Sequence, residues 1–452
     1  MTGLYSRPLL QVILVGIVLL LTSGMFNALN GMGGGGQLDT KMASNANVAL
    51  YTTFSVGGLV AGGIVNIIGP KYAMAIGGTT YALYAGSLLN YNHNKNDAFV
   101  VAAGALLGFG AALIWTGEGA IVTSYPSEKN KGKYIGIFFG IFNLGGVLGS
   151  IVPLVLNWNS KEGSVNDGTY IGFLVLMSLG SLFALALLPP SKVIHKDGRP
   201  VAVERFPSWT SESIEIGKLF LDLRMICLIP MFLASNWFYA YQFDDVNAFY
   251  FNIRTRALND VLYWTAQIFG ALIFGKFLDT PLFGRQKRAI FGLLILFFTI
   301  MATWVGGLIF QISYKRSDVV TPMDLFDRGY AGKCILYIAY GLNDAMYQLY
   351  AYWIMGALTN DTALLSRYNG FYKAIQSAGG AISWRIDAVG TAFLPQLLTC
   401  WILLIISIPG AMFVALNVKE TNYVTEDKDK VEKAAIGDGK VGSVNNEVAS
   451  AI

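Results

Sequence analysis

Carboxyl groups stand in two stretches of the sequence that are otherwise apolar. Glu118 lies in the run 98–122, and Asp344 lies beside Asn343 in the run 332–357. A charge inside an apolar span is costly and usually faces a cavity or a partner. We therefore interpret all three as candidates for the path of a cation or polar solute, with Glu118 able to accept a proton. The alternatives are that Glu118 is hydrated at the cytosolic surface and that Asp344 is a hydrogen-bonded anchor between helices.

Neutral polar side chains recur at helical spacing in other apolar runs. Spacings of three and four residues place such side chains on one face of a helix. Two opposed faces of this kind would form a hydrogen-bonding pocket, and the alternative is polar contact between packed helices. The candidates are Ser23, Asn27 and Asn30 in one run, Asn236, Tyr239 and Gln242 in a second, and Asn143 in a third.

Charged side chains also cluster where two of the apolar runs end. Asp244 and Asp245 close one run, and Arg385 and Asp387 close another. We hypothesise a gate in which Arg385 pairs with Asp244 or Asp245. The alternative is a static network that stabilises the loops at that surface.

The composition places these side chains in a membrane protein. Of the 452 residues 54% are hydrophobic and only 13% are charged, whereas soluble domains carry about 25% charged residues. A membrane span needs about 20 mostly apolar residues. On that basis the sequence predicts an all-α polytopic membrane protein with twelve spans, near 9–30, 46–68, 72–90, 98–122, 135–156, 170–189, 224–245, 258–278, 289–313, 332–357, 369–388 and 392–417.

The spans divide into two halves around a polar segment. We predict a six-helix bundle over 1–189, a cytosolic loop over 190–222, a second six-helix bundle over 223–418, and a disordered cytosolic tail over 419–452. Lysine and arginine are enriched in the central segment, the tail and the basic turn at 285–288. Because cytosolic loops carry an excess of these residues, we expect both termini in the cytosol. The particular membrane is not resolved.

An internal repeat supports the two halves. A shift of 212 residues aligns the asparagine, leucine, tyrosine and threonine of the segment Asn47 to Thr53 with those of Asn259 to Thr265. Residues 47–53 fall in predicted helix 2, and residues 259–265 fall in predicted helix 8. Repeated halves around a central loop are typical of secondary transporters.

The turns after these two helices carry a second repeated pattern. Both resemble the glycine–acid–glycine–basic signature of the major facilitator superfamily, in which the acid can hold a helix end or a basic neighbour. The first copy departs from it, with asparagine in place of the acid. A basic turn with a helix cap is the alternative interpretation. The residues are Gly62, Asn66, Gly69 and Lys71 in the first copy, and Gly275, Asp279, Gly284 and Arg285 in the second.

A narrower resemblance follows from the order of several short motifs. They resemble the unc-ninety-three-like ("uncoordinated") family within the major facilitator superfamily, especially its fungal members. The resemblance covers about 9–417 and implies twelve spans in two six-helix bundles. Family members look like potassium-channel regulatory subunits, trafficking chaperones for membrane receptors, or transporters. The motifs are Phe26-Asn-Ala-Leu-Asn-Gly31, Trp115-Thr-Gly-Glu118, Asn252-Ile-Arg-Thr-Arg256, Gln376-Ser-Ala-Gly-Gly380 and Trp384-Arg-Ile-Asp387.

Other classes of function find no support in the sequence. There is no metal-ligand spacing, nucleotide motif or catalytic triad, and so we expect no enzyme, no metal, no cofactor and no nucleic-acid partner. The run Gly33 to Gly36 lacks the residues of a phosphate loop and is interpreted as a flexible turn. The fourth helix also lacks the arginine that proton-coupled facilitators often carry.

Two functions stay open. The first is a secondary transporter that moves a small polar solute or ion through the lipid bilayer. The second is a scaffold without transport activity that regulates or escorts another membrane protein. The polar residues within the spans favour the first, and the missing arginine favours the second.

Overall fold

The chain forms twelve long helices within the residues that the structure describes. The computed structural model describes residues 3–37, 40–125, 131–159, 164–194, 214–215, 217–359 and 362–420. The helices confirm the predicted all-α polytopic membrane fold. They are α1 (Pro8–Gly31), α2 (Thr40–Ile68), α3 (Pro70–Asn94), α4 (Asp97–Ser124), α5 (Lys131–Leu156), α6 (Asp167–Ala184), α7 (Leu223–Ala248), α8 (Ile253–Leu278), α9 (Arg285–Gln311), α10 (Tyr330–Leu358), α11 (Thr362–Ala388) and α12 (Phe393–Leu416).

Nine of the helices in the described part of the chain are long and apolar enough to cross a membrane on length and composition alone. The other three, α3, α10 and α11, are as long but more polar. Protein neighbours surround much of their polar surface, since α11 packs on α2 and α7 and α10 packs on α8 and α9. Helix α2 begins at Thr40, six residues before its predicted start. Its polar first turns bury Ser44 against protein, which an apolar-run criterion does not detect.

Helix packing repeats between the two halves. Helix α2 packs on α4 as α8 packs on α10, and α3 packs on α6 as α9 packs on α12. Helix α1 packs on α5 and α6 as α7 packs on α11 and α12. The bundles meet mainly through α2 with α11 and through α5 with α8, which are equivalent pairs under the same repeat. The arrangement is that of two pseudo-symmetric six-helix bundles. The boundaries at 189, 223 and 418 stay predictions, and residues 195–213, 216 and 421–452 lie outside the described part.

Helices α1 and α7, which are equivalent in the two halves, both depart from regular α-helix. Helix α1 widens into a π-helical stretch over Leu20–Gly24, and α7 is interrupted after Ala234 and is π-helical over Tyr241–Ala248. Such widened turns are frequent at functional sites. The stretch in α7 carries Asp244 and Asp245 and turns both into the protein.

Glycines permit close helix crossings in corresponding helix pairs of the two halves. A Cβ at Gly108 of α4 would lie 2.0 Å from the carbonyl oxygen of Leu50 in α2. A Cβ at Gly341 of α10 would lie 2.4 Å from the carbonyl oxygen of Tyr263 in α8. Small residues at such crossings allow two backbones to pack in direct contact.

We expect Gly108→Ala and Gly341→Ala each to destabilise the protein by about 1–3 kcal/mol, since each methyl group would displace a neighbouring backbone. The measurement is the apparent Tm of detergent-purified protein. Gly58→Ala is the control, because a Cβ at that position has no neighbour within 4 Å and alanine is the better helix former. Equal Tm values for all three variants would contradict this account of the crossings.

Candidate functional site

Two polar clusters lie between the helices of the two bundles. We call the end of the molecule at which α1 joins α2 and α7 joins α8 the distal end; the opposite end, at which α1 begins and α12 ends, is called the end with the termini. The distal cluster lies at the first of these ends. The central cluster lies about halfway along α10 and α11.

Asp344 accepts several hydrogen bonds in the central cluster. Its side chain is buried, and its carboxylate accepts hydrogen bonds from Tyr239 Oη at 2.9 Å, Tyr263 Oη at 3.0 Å, Gln267 Nε2 at 2.5 Å and Gln348 Nε2 at 2.6 Å. These donors come from α7, α8 and α10. Four convergent donors hold a carboxylate in place without an ion pair.

The amides of Gln348 and Gln376 extend this network to α11. Gln376 Nε2 donates to Gln348 Oε1 at 3.1 Å and to Asn236 Oδ1 at 3.0 Å. Gln376 Oε1 accepts from Lys373 Nζ at 2.8 Å. A continuous hydrogen-bonded chain therefore joins the Asp344 carboxylate to the Lys373 ammonium.

Lys373 lies among aromatic rings from both bundles. Its Nζ is 5.3 Å from the ring centroid of Trp115, 5.6 Å from that of Tyr352 and 5.3 Å from that of Tyr372. We call these three rings the aromatic cage. Trp115 belongs to α4, whereas Tyr352 belongs to α10 and Tyr372 to α11.

Glu118 faces this lysine from the first bundle. Glu118 and Asp344 are the carboxylates whose charges act on the Lys373 ammonium. In the described part of the chain the half-buried Glu118 carboxylate makes no hydrogen bond and no ion pair. The basic residue that α4 lacks is thus supplied by α11, directly across the interface between the bundles.

The remaining candidates do not join one pocket. Tyr239, Gln242 and Asn236 of α7 meet the Asp344 network, and the side-chain amide of Gln242 lies 2.9 Å from Tyr263 Oη. Asn343 turns toward α9 instead, donating to Thr303 Oγ1 at 2.6 Å. The other three come from the first bundle: Asn30 accepts from Asn47 Nδ2 at 2.9 Å, and the half-buried Asn27 and Asn143 have no hydrogen bond to the residues described.

Arg256 anchors the distal cluster. This α8 side chain is 0% exposed. Its Nε donates to the carbonyl of Met32 at 2.7 Å, and its Nη2 donates to the carbonyls of Gly33 at 2.5 Å and Gln37 at 3.2 Å. The acceptors lie in the loop between α1 and α2, so this guanidinium joins the second bundle to the first.

The same loop is built around its glycines. Gly33, Gly34, Gly35 and Gly36 all have positive φ, between 57° and 81°. A Cβ at Gly33 would lie 2.0 Å from the carbonyl oxygen of Phe243. The interpretation of this run as a flexible turn is therefore wrong: the loop is buried and follows a left-handed path that side chains other than glycine rarely adopt.

Buried carboxylates continue the distal cluster across both bundles. Asp244 accepts from the backbone N–H of Gly34 at 2.7 Å and from Ser44 Oγ at 3.0 Å. Ser44 Oγ also contacts Asp387 Oδ2 at 2.7 Å. One serine of α2 therefore bridges carboxylates of α7 and α11.

The cation that pairs with Asp387 and with the neighbouring Asp245 is Arg316. Its Nη2 lies 2.8 Å from Asp245 Oδ1 and also pairs with Asp387. Arg385 is exposed and forms no ion pair with the residues described. The hypothesised pairing of Arg385 with Asp244 or Asp245 is therefore wrong in this structure. Arg385 lies two positions before Asp387 and points away from it, whereas Arg316 reaches inward from the α9–α10 loop.

Two further contacts secure the same end. Asp260 of α8 accepts from Ser150 Oγ of α5 at 2.8 Å and from Trp264 Nε1 at 2.8 Å. Arg254 of α8 donates from its Nε to Oδ1 of Asp324, a residue of the α9–α10 loop, at 2.8 Å. That hydrogen bond lowers the pKa of Asp324 to about 2, so the carboxylate stays ionised throughout the physiological pH range.

In the glycine–acid–glycine–basic turn between α8 and α9, the acidic residue Asp279 does not form the stabilising hydrogen bonds; other residues do. Asp279 ends α8 with an exposed side chain, and the carbonyl of Leu278 accepts instead from Arg288 Nη1 at 2.7 Å. Glu420 caps the start of α9 by accepting from the backbone N–H of Arg285 at 2.6 Å. In the first copy Gly69 has φ +84° before the first residue of α3. The side chain of Asn66 lies outside the described part.

Sequence reasoning missed the basic residues of both clusters. Lys373 lies inside a predicted span, and the rule that selected Glu118 would have selected it too. Arg256 belongs to one of the motifs quoted for the family resemblance, but nothing in its spacing points to the glycine loop. Arg316 lies in a polar loop and carries no local signal.

Comparisons with known proteins match this architecture. A family model described as "Ion channel regulatory protein UNC-93" matches residues 41–363. An UNC93-like protein of Schizosaccharomyces pombe is 46% identical over 441 residues, which cover 96% of this chain and 87% of that protein. UNC93-like protein 1 of Arabidopsis thaliana is 44% identical over 431 residues, which cover 94% of each chain.

Solved transporter structures share the fold. A D-xylose–proton symporter superposes with a TM-score of 0.57 at 13% identity, covering 91% of this chain and 97% of its own. The nucleoside transporter NupG superposes with a TM-score of 0.58 at 13% identity, covering 91% of this chain and 99% of its own. At this identity the likeness establishes the twelve-helix major facilitator fold and nothing finer.

Arg316→Ala should destabilise the protein by about 2 kcal/mol, because it leaves Asp245 and Asp387 without their cation. Arg385→Ala, which removes an exposed arginine from the same end, should leave the apparent Tm unchanged. Adding Asp387→Asn to Arg316→Ala should restore part of the loss, since one unpaired charge is removed. Similar effects from the two arginine variants would refute the pairing described.

Gly33→Ala tests the glycine loop against a matched position. Gly390 also has a left-handed φ of +79°, but a Cβ there meets nothing within 4 Å. Both alanine variants incur backbone strain of about 1–2 kcal/mol. Gly33→Ala must in addition displace the Phe243 carbonyl, and so its apparent Tm in detergent should fall further than that of Gly390→Ala. An equal decrease in apparent Tm for the two variants would show that the Phe243 carbonyl can move aside without a further loss of stability.

Proposed function

The chain belongs to the UNC-93 family, and we propose that it is a secondary transporter that moves a small polar solute or ion by alternating access. The observation that carries this proposal is the placement of Glu118, Lys373 and Asp344 between the two bundles, about halfway along α10 and α11. Charges at that depth are costly in a bilayer and are typically retained where they face a substrate or ion path.

The two ends of the interface differ in a way that supports movement. At the distal end the bundles are joined by the charged hydrogen bonds of Arg256 and by the Ser44 bridge. Toward the end with the termini, Phe139 of α5 meets Tyr352 of α10 edge to face with 6.1 Å between ring centroids. Ring contacts separate more easily than buried charged hydrogen bonds, because no charge is left unpaired.

This difference supports the interpretation of the described conformation as one state of a transport cycle. Asp244 and Arg256 are buried at the distal end, whereas Glu118 and Lys373 remain partly exposed. This partial exposure supports a central cluster that is accessible from the end with the termini. With both termini in the cytosol, as the distribution of basic residues indicates, the state is closed outward and accessible from inside. The predicted gate residues Asp244, Asp245 and Asp387 then act in the outer closure together with Arg316.

A second function is favoured by the description of the family model, which names regulation of ion channels. In that case the chain would bind another membrane protein, and the central cluster would set the conformation presented to that partner without passing a solute. Neither function requires catalysis or a cofactor, and we propose none.

Transport is tested with purified protein, first by thermal shift against metabolites and ions at two pH values, since a ligand of the folded state raises its apparent stability. Ligands that stabilise the protein are then offered to proteoliposomes. Glu118→Gln and Asp344→Asn should each lower flux at least about tenfold while retaining a cooperative unfolding transition. Asp279→Asn, at an exposed carboxylate, should transport normally.

Two results would remove the proposal. Flux that is unaffected by Glu118→Gln and Asp344→Asn would place the path elsewhere. The absence of flux for every stabilising ligand, with folded protein in the vesicles, would favour the regulatory function.

A further inference from the structure

With both of its carboxyl groups ionised, the central cluster lacks one positive charge. Glu118 and Asp344 contribute two carboxylates, and Lys373 contributes one ammonium. Asp344 is held by four hydrogen-bond donors, but the Glu118 carboxylate has no hydrogen bond and no ion pair within the described residues. A site of this kind in a membrane protein favours a monovalent cation, because the bound ion completes the charge balance.

The surroundings of Lys373 indicate which cation. Three aromatic rings lie 5.3–5.6 Å from its Nζ, the arrangement that binds organic ammonium groups through cation–π attraction. Alkali and alkaline-earth ions require several oxygen ligands, which an aromatic wall does not offer. The cage therefore favours an alkylammonium group, which is the kind of cation that the Lys373 side chain already places there.

The occupant can be displaced. Lys373 Nζ makes one hydrogen bond, to the Gln376 amide, and forms no ion pair with the residues described. Its four-carbon stem is flexible. Both Lys373 and Trp115 are partly exposed, so the cage is not fully enclosed by protein.

We propose that the central cluster binds a small organic ammonium compound, whose cationic nitrogen competes with the Lys373 ammonium for the cage of Trp115, Tyr352 and Tyr372 and pairs with Glu118. Lys373 is then a tethered competitor that fills the site in the absence of ligand. The inference rests on the proposed function in that it names the class of solute at the same site.

Binding is measured by titrating detergent-purified full-length protein with methylammonium, 1,4-diaminobutane and choline, using calorimetry or thermal shift. Lys373→Met removes the competitor and should tighten binding of at least one of these amines about tenfold or more. Adding Glu118→Gln or Trp115→Leu to that variant should reverse the gain. Methanol and 1,4-butanediol, which lack the charge, should bind to none of the proteins.

Lys333→Met is the matched control. Lys333 Nζ also lies over two rings, 5.5 Å from Tyr250 and 5.3 Å from Phe310, but it lies at the distal end away from Glu118 and Asp344. Its replacement should leave amine affinity unchanged. If Lys373→Met keeps a cooperative unfolding transition but binds amines no more tightly than wild type, or if potassium chloride stabilises it as well as amines do, the inference is wrong.

A flux measurement distinguishes a failure of the proposed ligand class from a failure of the proposed transport function. Amine binding without flux in proteoliposomes would retain the ligand class and remove transport. Glu118-dependent flux of an uncharged or anionic solute, without amine binding, would retain transport and remove the ligand class.

Discussion

A guanidinium removed from water must have its N–H groups hydrogen-bonded, and the distal end of this protein is organised by that requirement. Arg256 is fully buried and takes backbone carbonyls of the α1–α2 loop as acceptors. Those carbonyls converge only because successive glycines hold left-handed conformations. The loop in turn directs the N–H of Gly34 to Asp244. One buried cation from the second bundle thus determines the path of a segment in the first.

The central cluster follows the opposite principle. Asp344 is fully bonded, but Glu118 and Lys373 interact across the bundles without forming an ion pair. Fully satisfied buried networks rigidify a structure, whereas partly satisfied groups leave capacity for a ligand or for rearrangement. The distal end carries several charge-assisted contacts between the bundles, whereas the centre carries few, and this contrast supports a closure at one level of the interface and a binding site at the other.

The sequence predicted what depends on local pattern. Twenty-residue apolar runs are a strong signal, and all twelve helices lie close to their predicted positions. The stripe of Asn236, Tyr239 and Gln242 was also identified, since three-residue spacing sets a helix face without any knowledge of the neighbours. That stripe does meet the Asp344 network.

Contacts between distant segments could not be predicted in this way. Arg316 lies 71 residues from both Asp245 and Asp387, and nothing near it in the sequence distinguishes it from a solvated loop residue. Arg385, two residues from Asp387, seemed the better partner only because proximity in sequence was the available evidence. The glycine run suggested mobility because composition does not reveal that a partner fixes its conformation.

The Arg256 contact also has a consequence for biosynthesis. Gly33 and Arg256 are 223 residues apart, so at ribosomal rates of about 5–20 residues per second the arginine is made some 10–45 s after the loop that receives it. During that interval the loop carbonyls must be solvated by water or by the insertion machinery. During synthesis the α1–α2 loop of the first bundle therefore lacks its hydrogen bonds to Arg256. The loop reaches its final form only when α8 has entered the membrane.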